Sequence, residues 1–507
     1  MQARRDFAPG LILDARKRST MRERIVAAPE PAQVFVLLDQ GDGRRGTPCV
    51  REGERVCQGA AIARADDGPG ADLHAPVAGR IRSIGPHENL REAGPGIVID
   101  NDGSDERDPR CEPCPDADSL DPDDLIERIR GGGIVGLGGA LYPTAAKLAQ
   151  GRDRSVTHLV LNGAECEPWI CCDDALMRET PGEVVRGAQL MLRACGAAKC
   201  TIAIEDDKAE AGAALEAALA AAGDARLSLA VLPAVYPAGA ERQLLTAVTG
   251  LEVPQHAWPP AIGLLCQNVG TAVAIARLMR TGEPLIRRIV TVTGSGVAHP
   301  GNLDARIGTP IAELIAAAGG YAGAPRRLWF GGSITGRALP DDAWPLTSAM
   351  NCIVAATAAD LRAPAQAEQA CIRCGDCAVV CPPRLLPQEL LVAAHTADFQ
   401  ALNLFGLQDC IECGCCDVAC PSHISLTERF RQAKRSLAMH DRQLKLADES
   451  EQRFERRERR IEEQRGRSAS LIDRLKGEAT DPDAREAAIR AAVERATQRR
   501  DRSADRE

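Results

Sequence analysis

The sequence has 507 residues, a length that allows about three domains, each with a core of its own. Its formal net charge of −9 gives no reason to expect a nucleic-acid partner. The first ten residues lack the apolar run of a secretory signal, so we expect the 20 cysteines to be reduced thiols or metal ligands rather than disulfides. The longest uncharged window, residues 257–276, contains two prolines, which predicts a buried loop and core helix instead of a transmembrane helix.

Residues 1–33 show no clear pattern, and short strands separated by turn signals fill residues 34–105. Two stretches carry the pattern of this region: G-E-x-V-x-x-G at 53–59 and A-P-x-x-G-x-I at 75–81. They resemble the lipoyl and biotinyl barrel-sandwich fold, which predicts a barrel-sandwich hybrid domain here.

Carrier domains of that fold attach their prosthetic group to a lysine on a hairpin. The corresponding hairpin at 66–70 has no lysine, and none occurs between Lys17 and Lys147. The domain is therefore predicted to be structural or a docking surface, without a carrier function.

Residues 106–123 are rich in Asp and Pro, a composition that predicts a linker. Cys111 and Cys114 form an isolated C-x2-C, which supplies only half of a zinc site. We expect free thiols at both positions.

From residue 124 to residue 284, helical patterns alternate with apolar strands. Such alternation predicts a largely parallel sheet covered by helices. Residues 285–335 contain strands, a Gly-rich turn and a short helix, which predicts a small β-grasp (SLBB-like) module, followed by a connector at 336–362.

A glycine-rich loop at 131–142 precedes a helix that starts near Pro143. Backbone N–H groups at a helix start suit an anion, and Lys147 adds a positive charge one turn later. The loop matches neither common nucleotide motif, because Leu141 stands where G-x-G-x-x-G needs its third glycine. Phosphate binding and a simple packing turn both remain open on spacing alone.

Two acidic turns follow strands, at 162–168 and at 236–242. Ligands gather at the carboxyl ends of strands in open α/β sheets. Each turn is equally compatible with a helix N-cap. The cysteines near the first turn are predicted to be packed thiols: Cys166, Cys171 and Cys172.

The clearest motif lies within residues 363–425, where C-x2-C-x2-C-x3-C-P occurs twice. This is the pattern of a bacterial-type ferredoxin domain with two [4Fe–4S] clusters, in which each motif sends its fourth cysteine to the other cluster. Zinc sites use longer gaps between C-x2-C pairs, and disulfides are rare in reducing compartments. The spacing predicts one cluster on Cys371, Cys374, Cys377 and Cys420, and the other on Cys410, Cys413, Cys416 and Cys381.

Residues 426–507 form a strongly charged tail of both signs. The pattern is typical of a solvated helix or a disordered extension. As a whole, the sequence predicts a multidomain α/β and α+β protein.

Several stretches together resemble a known family. The segment from Gly136 to Lys147 is similar to the flavin loop of the complex I 51-kDa subunit, and residues 162–168, 236–250 and 267–271 resemble its other FMN- and NADH-binding segments. The whole order, with phrases such as NGAECEP, IGLLCQNVGTA and CIECGCC, resembles the RnfC/RsxC family of Rnf-type electron-transport complexes.

The resemblance implies a non-covalent FMN and a site for NADH. It assigns Glu165, Glu167 and Glu241 to the flavin/NADH cleft, and Tyr142 to stacking on the adenine. Leu141 stands at a loop position where the family has glycine, which implies a narrower approach to the cofactor. The residues implied to contact FMN are Gly136, Gly138, Gly139, Lys147, Asn162 and Asn268.

The implied function is NADH oxidation, with electrons passing through FMN and the two clusters to partner subunits and from there to ferredoxin. No catalytic acid or base is required. The resemblance further implies partners, namely the ferredoxin-like RnfB and membrane subunits A, D, E and G, with ion translocation in those membrane subunits. It places the chain on the cytoplasmic side of the bacterial cytoplasmic membrane, attached through its partners.

Two alternatives remain open at this point. One is a cobalamin reductase of the bacterial-microcompartment type, which resembles the same family. The other is an iron–sulfur electron relay or scaffold that does not bind NADH.

Overall fold

The computed structural model describes residues 9–41, 43–65, 70–87, 93–361, 367–478 and 482–504. Residues 1–8, most of the hairpin predicted at 66–70 and the start of the cysteine-rich domain lie outside the described residues. The chain forms two compact units, Met1–Arg431 and Gln432–Glu507, and each is described by itself.

Residues 9–27 form an extended segment, which we call the N-terminal strap. Leu11 exchanges two backbone hydrogen bonds with Tyr236, at 2.8 and 2.9 Å. The Lys17 ammonium group donates to the carbonyl of Glu165. The strap ends in strand β1 (Ile25–Ala27), which pairs in parallel with residues 302–304. The sequence pattern alone did not place this segment.

In its described residues, the next domain has seven short strands in two antiparallel sheets, of order β2-β8-β7-β4 and β3-β5-β6. Gly79 shows why the A-P-x-x-G motif needs glycine, because a Cβ there would lie 2.0 Å from the Asp100 carbonyl oxygen. The strands are β2 (Gln33–Leu37), β3 (Thr47–Pro48), β4 (Arg55–Val56), β5 (Ala61–Arg64), β6 (Leu73–His74), β7 (Gly79–Pro86) and β8 (Pro95–Asn101).

The predicted linker at 106–123 is packed against the body of the protein. Asp108 is buried, and the Cys114 N–H donates to the carbonyl of Met279 at 2.7 Å. Cys111 and Cys114 carry free thiols. The segment joins two domains but is held along its length, which its Asp- and Pro-rich composition did not indicate.

The α/β domain contains one parallel sheet of order β11-β10-β9-β12, as its alternating pattern predicts. Its inner strands are buried on both faces, which explains their continuous apolar sequence. The elements are α1 (Pro122–Gly131), α2 (Thr144–Asp153), β9 (His158–Asn162), α3 (Cys172–Glu179), α4 (Pro181–Cys195), β10 (Lys199–Glu205), α5 (Ala209–Ala222), β11 (Leu227–Leu232), α6 (Glu241–Thr249), β12 (Leu264–Asn268) and α7 (Val269–Thr281).

The strand order reverses once within this sheet. The chain steps from β9 outward through β10 to β11, and then returns to add β12 on the other side of β9. At such a switch point the connecting loops part and leave a crevice at the carboxyl ends of the strands. We therefore expect a ligand site at the carboxyl ends of β9 and β12.

A six-stranded mixed sheet follows, of order β1-β14-β13-β17-β15-β16. The sequence predicts only a connector at 336–362, but this segment contains two strands of the sheet, β16 and β17. Strand β17 lies between β13 and β15 and pairs with both. Both strands are too short to stand out in the sequence. The elements are β13 (Arg287–Thr293), β14 (Gly301–Arg306), α8 (Ile311–Ala317), β15 (Arg327–Phe330), β16 (Arg337–Ala338) and β17 (Cys352–Ala356).

Among the described residues from 367 onward, the cysteine-rich segment contains only short helices, and a long helix follows it. The second unit is helical throughout its described residues, with ion pairs one turn apart such as Arg459–Glu455 and Arg490–Glu486. Within the described residues, no helix has both the length and the apolar character to cross a membrane. The helices are α9 (Asp376–Val379), α10 (Pro387–Thr396), α11 (Phe399–Leu404), α12 (Cys415–Ala419), α13 (Leu426–Glu478) and α14 (Pro482–Ala504).

The crossing of α4 and α7 gives a test of the fold. A Cβ at Gly187 in α4 would lie 2.1 Å from the Ala272 carbonyl oxygen in α7. Gly187→Ala should therefore force the helices apart and destabilise the protein by about 1–3 kcal/mol. Gly182→Ala in the same helix is the matched control, since nothing lies within 4 Å of its Cβ, and it should leave stability equal or slightly higher. Thermal unfolding measures both, and equal melting temperatures would contradict the observed packing.

Candidate functional site

The glycine loop at residues 136–142 closes on itself at the start of α2. The Gly136 N–H donates to the Tyr142 carbonyl at 2.9 Å, and the Leu141 N–H donates to the Gly136 carbonyl at 3.2 Å. The Leu137 N–H donates to Thr271 Oγ1 at 2.9 Å, which ties the loop to α7. A Cβ at Gly139 would meet no atom within 4 Å, so this face of the loop is open to a ligand.

Leu141 has a φ of 51°, the left-handed region in which glycine is favoured. Its side chain is buried against Val135 and Leu137. It lines a cavity of about 280 Å³ beside His74, whereas Gly138 and Gly139 line a different cavity of about 450 Å³. The narrowing predicted from the sequence is therefore not observed at the glycines, although the backbone keeps the glycine conformation.

Asn162 and Asn268 occupy equivalent positions at the ends of β9 and β12, at the switch point. Asn162 Nδ2 donates to the Gly239 carbonyl at 2.8 Å. Asn268 Oδ1 caps α7 by accepting from the Gly270 N–H at 2.8 Å, and its Nδ2 donates to Asp173 Oδ2 at 2.6 Å. The structure thus brings together two asparagines that the resemblance assigns to FMN, from segments about a hundred residues apart.

Lys147 in α2 and Glu241 in α6 form an ion pair of 2.7 Å between Nζ and Oε1. Burial alone would lower the pKa of Lys147, but the Glu241 carboxylate more than offsets it and the pKa is raised. Lys147 therefore stays charged at the edge of the crevice. A ligand anion there would share the ammonium group with Glu241.

Glu165 serves as a cap of α3, the second of the two interpretations that the sequence left open for this turn. Its Oε1 accepts from the Asp173 N–H at 2.8 Å and its Oε2 from the Asp174 N–H at 3.0 Å. The carboxylate is buried and holds the helix start.

Asp173 was not singled out by the sequence analysis. Burial, and then the nearby Glu165 carboxylate, raise its pKa to about 7. One ligand atom each from Glu165, Cys172 and Asp173 lies within 4.8 Å of the other two, a spacing that suits a metal ion. The N–H groups of α3 already bind the Glu165 carboxylate, and Asn268 binds the Asp173 carboxylate. These hydrogen bonds account for the cluster as a cap of α3. The sequence feature that could have pointed to Asp173 is the pair of consecutive acidic residues in the first turn of α3.

Glu167 joins the α/β domain to the six-stranded sheet. Its Oε1 accepts from the Ile334 N–H at 2.9 Å and the Thr335 N–H at 2.6 Å, and its Oε2 from Thr335 Oγ1 at 2.6 Å. A Cβ at Gly332 would lie 2.1 Å from Glu167 Cγ, so this loop requires glycine. Glu167 also lines the 450 Å³ cavity with Gly138.

One face of the Tyr142 ring is covered. The guanidinium of Arg44, from the barrel-sandwich domain, lies 5.4 Å from the ring centroid. The Tyr142 hydroxyl accepts from Gln150 Nε2 at 2.7 Å. An adenine could stack here only on the other face or after Arg44 moves.

The two cysteine motifs are a structural repeat with an offset of 39 residues. Left-handed backbone recurs at equivalent positions, with φ of 54° and 56° just before the second cysteine of each motif and 86° and 75° at the glycine that follows it. The positions are Arg373 and Glu412, and Gly375 and Gly414. Equal backbone turns indicate that both loops present their thiols in the same way.

The two motifs contact each other at both ends. Cys381 of the first motif lines one small cavity with the cysteines of the second motif. At the other end, the Gln369 N–H donates to the Ser422 carbonyl at 2.9 Å and Ser422 Oγ donates to the Ala370 carbonyl at 3.0 Å, which joins the chain before Cys371 to the chain after Cys420. The cysteines in the shared cavity are Cys381, Cys410, Cys413, Cys415 and Cys416.

The second motif contacts the α/β domain directly. The hydroxyl of Tyr236 donates to the Cys413 carbonyl at 2.5 Å, and burial raises the pKa of this tyrosine, which keeps the hydroxyl a donor. Arg242 lies 3.6 Å from Asp409. In the first motif, by contrast, Cys371 and Cys374 are exposed.

Comparisons with known proteins agree with this architecture. Family models match at residues 5–104 (RnfC barrel sandwich hybrid domain), 129–277 (Nuo51 FMN-binding domain) and 289–338 (SLBB domain). A curated Haemophilus influenzae protein, the C subunit of an ion-translocating oxidoreductase complex, is 40% identical over 90% of this chain and 68% of its own length. The chain belongs to this RnfC family.

The RnfC relative from Pseudomonas aeruginosa is 44% identical over 93% of this chain and 60% of its own length. The chain thus spans about 60% of that relative. The barrel-sandwich, flavin-domain and SLBB predictions are confirmed. A solved NAD+-reducing [NiFe]-hydrogenase is similar at a TM-score of 0.44 and 20% identity, covering 66% of this chain and 62% of that chain.

The raised pKa of Asp173 predicts a pH dependence of stability. The unfolded chain loses this proton near the ordinary value of 3.8, whereas the folded chain keeps it to about pH 7, so this residue makes stability fall as pH rises between these values. Asp173→Asn should remove that contribution. Its melting temperature should decline less than that of the parent protein between about pH 5 and pH 7. The exposed Asp153→Asn serves as control, and parallel curves for parent and Asp173→Asn would contradict the assignment.

Proposed function

We propose that this chain is the NADH-oxidising subunit of an Rnf-type complex. FMN, when bound, would accept a hydride from NADH and release electrons one at a time, which a pair of [4Fe–4S] clusters can carry. The observation that best supports this proposal is the contact between the switch-point domain and the second cysteine motif through Tyr236. A flavin domain and a cluster motif in direct contact suit electron transfer between them.

The described residues fit an FMN phosphate and ring. Gly139 leaves the loop backbone accessible, and the N-terminal end of α2 favours an anion. Lys147 offers a positive charge that it shares with Glu241. Asn162 and Asn268 fix the ends of β9 and β12, so they hold the walls of the crevice in place.

The residues of the chain also fit two clusters. In each motif, a left-handed turn follows the second cysteine and lets a short helix carry the third. The cluster on the second motif would lie next to the α/β domain, and the cluster on the first motif, with exposed Cys371 and Cys374, would lie at the surface. We infer an electron path in that order, from the flavin to the second motif, to the first, and then to a partner.

Partners and location follow from the same proposal. The protein would act with the ferredoxin-like RnfB and with membrane subunits A, D, E and G, which perform ion translocation. It would associate peripherally with the cytoplasmic side of the membrane through those partners.

An electron relay without NADH binding is the second candidate, and the Arg44 guanidinium on the Tyr142 ring favours it. NADH added anaerobically to protein that carries both FMN and clusters separates the two. The proposed function predicts bleaching of both the flavin and the cluster absorbance. Dithionite is the control that both cofactors are reducible, and reduction by dithionite without reduction by NADH would support the relay.

The cluster assignment predicts different effects at two neighbouring cysteines. Cys416→Ala should remove one cluster, lowering iron from about eight to about four atoms per chain. Cys415→Ala is the matched control, since its thiol lies 4.0 Å from the Tyr236 carbonyl and is not in the predicted ligand set; it should retain both clusters. Iron analysis and EPR of the reduced proteins measure this, and cluster loss in Cys415→Ala alone would reverse the assignment.

A further inference from the structure

Tyr236 is fixed at both ends between the α/β domain and the second cysteine motif. Its side chain is buried, and its backbone N–H and carbonyl both pair with Leu11 of the N-terminal strap, at 2.9 and 2.8 Å. At the far end of the ring, the hydroxyl donates to the Cys413 carbonyl at 2.5 Å.

The Cys413 carbonyl belongs to the same peptide group as the Gly414 N–H. A donor on the carbonyl oxygen polarises the peptide and strengthens its N–H as a donor. Hydrogen bonds toward the sulfurs of an iron–sulfur cluster are one of the factors that set its reduction potential. The φ of 75° at Gly414 places this peptide at the turn between the second and third cysteines of the motif, beside the ligands.

We propose that Tyr236 is a positioning residue that raises the reduction potential of the cluster on the second motif, acting through the peptide between Cys413 and Gly414. The proposal rests on the proposed function, because it requires that cluster. A higher potential makes the cluster nearer the flavin domain a better electron acceptor. The equivalent cysteine of the first motif, Cys374, is exposed, so the two loops differ in their surroundings although their backbones repeat.

The test is an EPR-monitored redox titration of the full chain carrying both clusters. Tyr236→Phe removes only the hydroxyl. The loss of one hydrogen bond should shift the one-electron equilibrium of one cluster about threefold to tenfold toward the oxidised form. This corresponds to a fall of about 30–60 mV, while the potential of the other cluster stays unchanged.

Two controls separate this effect from loss of structure. Tyr321→Phe removes a hydroxyl that donates to Asp342 at 2.7 Å, outside both cysteine motifs, and it should shift neither cluster. Arg242→Gln removes another contact beside the second motif, the 3.6 Å pair with Asp409, together with two hydrogen bonds to the Val253 and Ala257 carbonyls, without touching the Cys413 peptide. A purely mechanical tether would give the same result in Arg242→Gln and Tyr236→Phe.

A second measurement keeps the Tyr236 hydroxyl in the contact and changes only its strength as a donor. The chain has three tyrosines, and replacing them with 3-fluorotyrosine makes each hydroxyl a stronger donor. The potential of the same cluster should then rise, opposite in sign to Tyr236→Phe. This measurement decides the question even where Tyr236→Phe does not fold.

The outcomes are distinguishable. Absence of clusters in the parent protein would overturn the proposed function and this inference together. Two clusters with potentials that do not move with fluorotyrosine, or that move equally in Arg242→Gln, would overturn the inference alone. A fall in Tyr236→Phe and a rise with fluorotyrosine, confined to one cluster, would establish it.

Discussion

The α/β domain depends on the hydrogen bonds that join the carboxyl ends of β9 and β12. Asn268 caps α7 with its oxygen, and its nitrogen reaches Asp173 at the start of α3 and, at 3.4 Å, the Asn162 carbonyl. Two helix starts and two strand ends are therefore held by one side chain. Because the strand order reverses at this place, the loops on either side must diverge, and the crevice between them has fixed walls.

Features with a local signal were predictable from the sequence. The cysteine spacing is fixed by the turn that each motif must make, so the spacing predicts the repeated backbone turns. Alternating apolar strands and helices predict a parallel sheet because each buried strand must be covered on both faces. The barrel-sandwich motif also has a local cause, since Gly79 approaches the Asp100 carbonyl too closely for any side chain.

Features that depend on distant partners were not predictable. In the sequence, Glu167 is one acidic residue in a turn. Only the fold shows that its carboxylate holds the loop around Thr335. Arg44 has no pattern that connects it to Tyr142. The strands β16 and β17 have two and five residues, too few for a periodic signal, and β17 owes its central place to pairing with β13 and β15. At Leu141, leucine stands where the family's loop has glycine, but the backbone keeps a glycine-like φ of 51°.

The N-terminal strap has a consequence for how the chain acquires its structure during synthesis. Its strand β1 pairs with residues 302–304, and Leu11 pairs with Tyr236, so the strap leaves the ribosome long before its partners, which follow more than two hundred residues later. Contacts of such long sequence separation form late, after the intervening domains have closed their own cores. The strap therefore docks onto domains whose own cores have already closed.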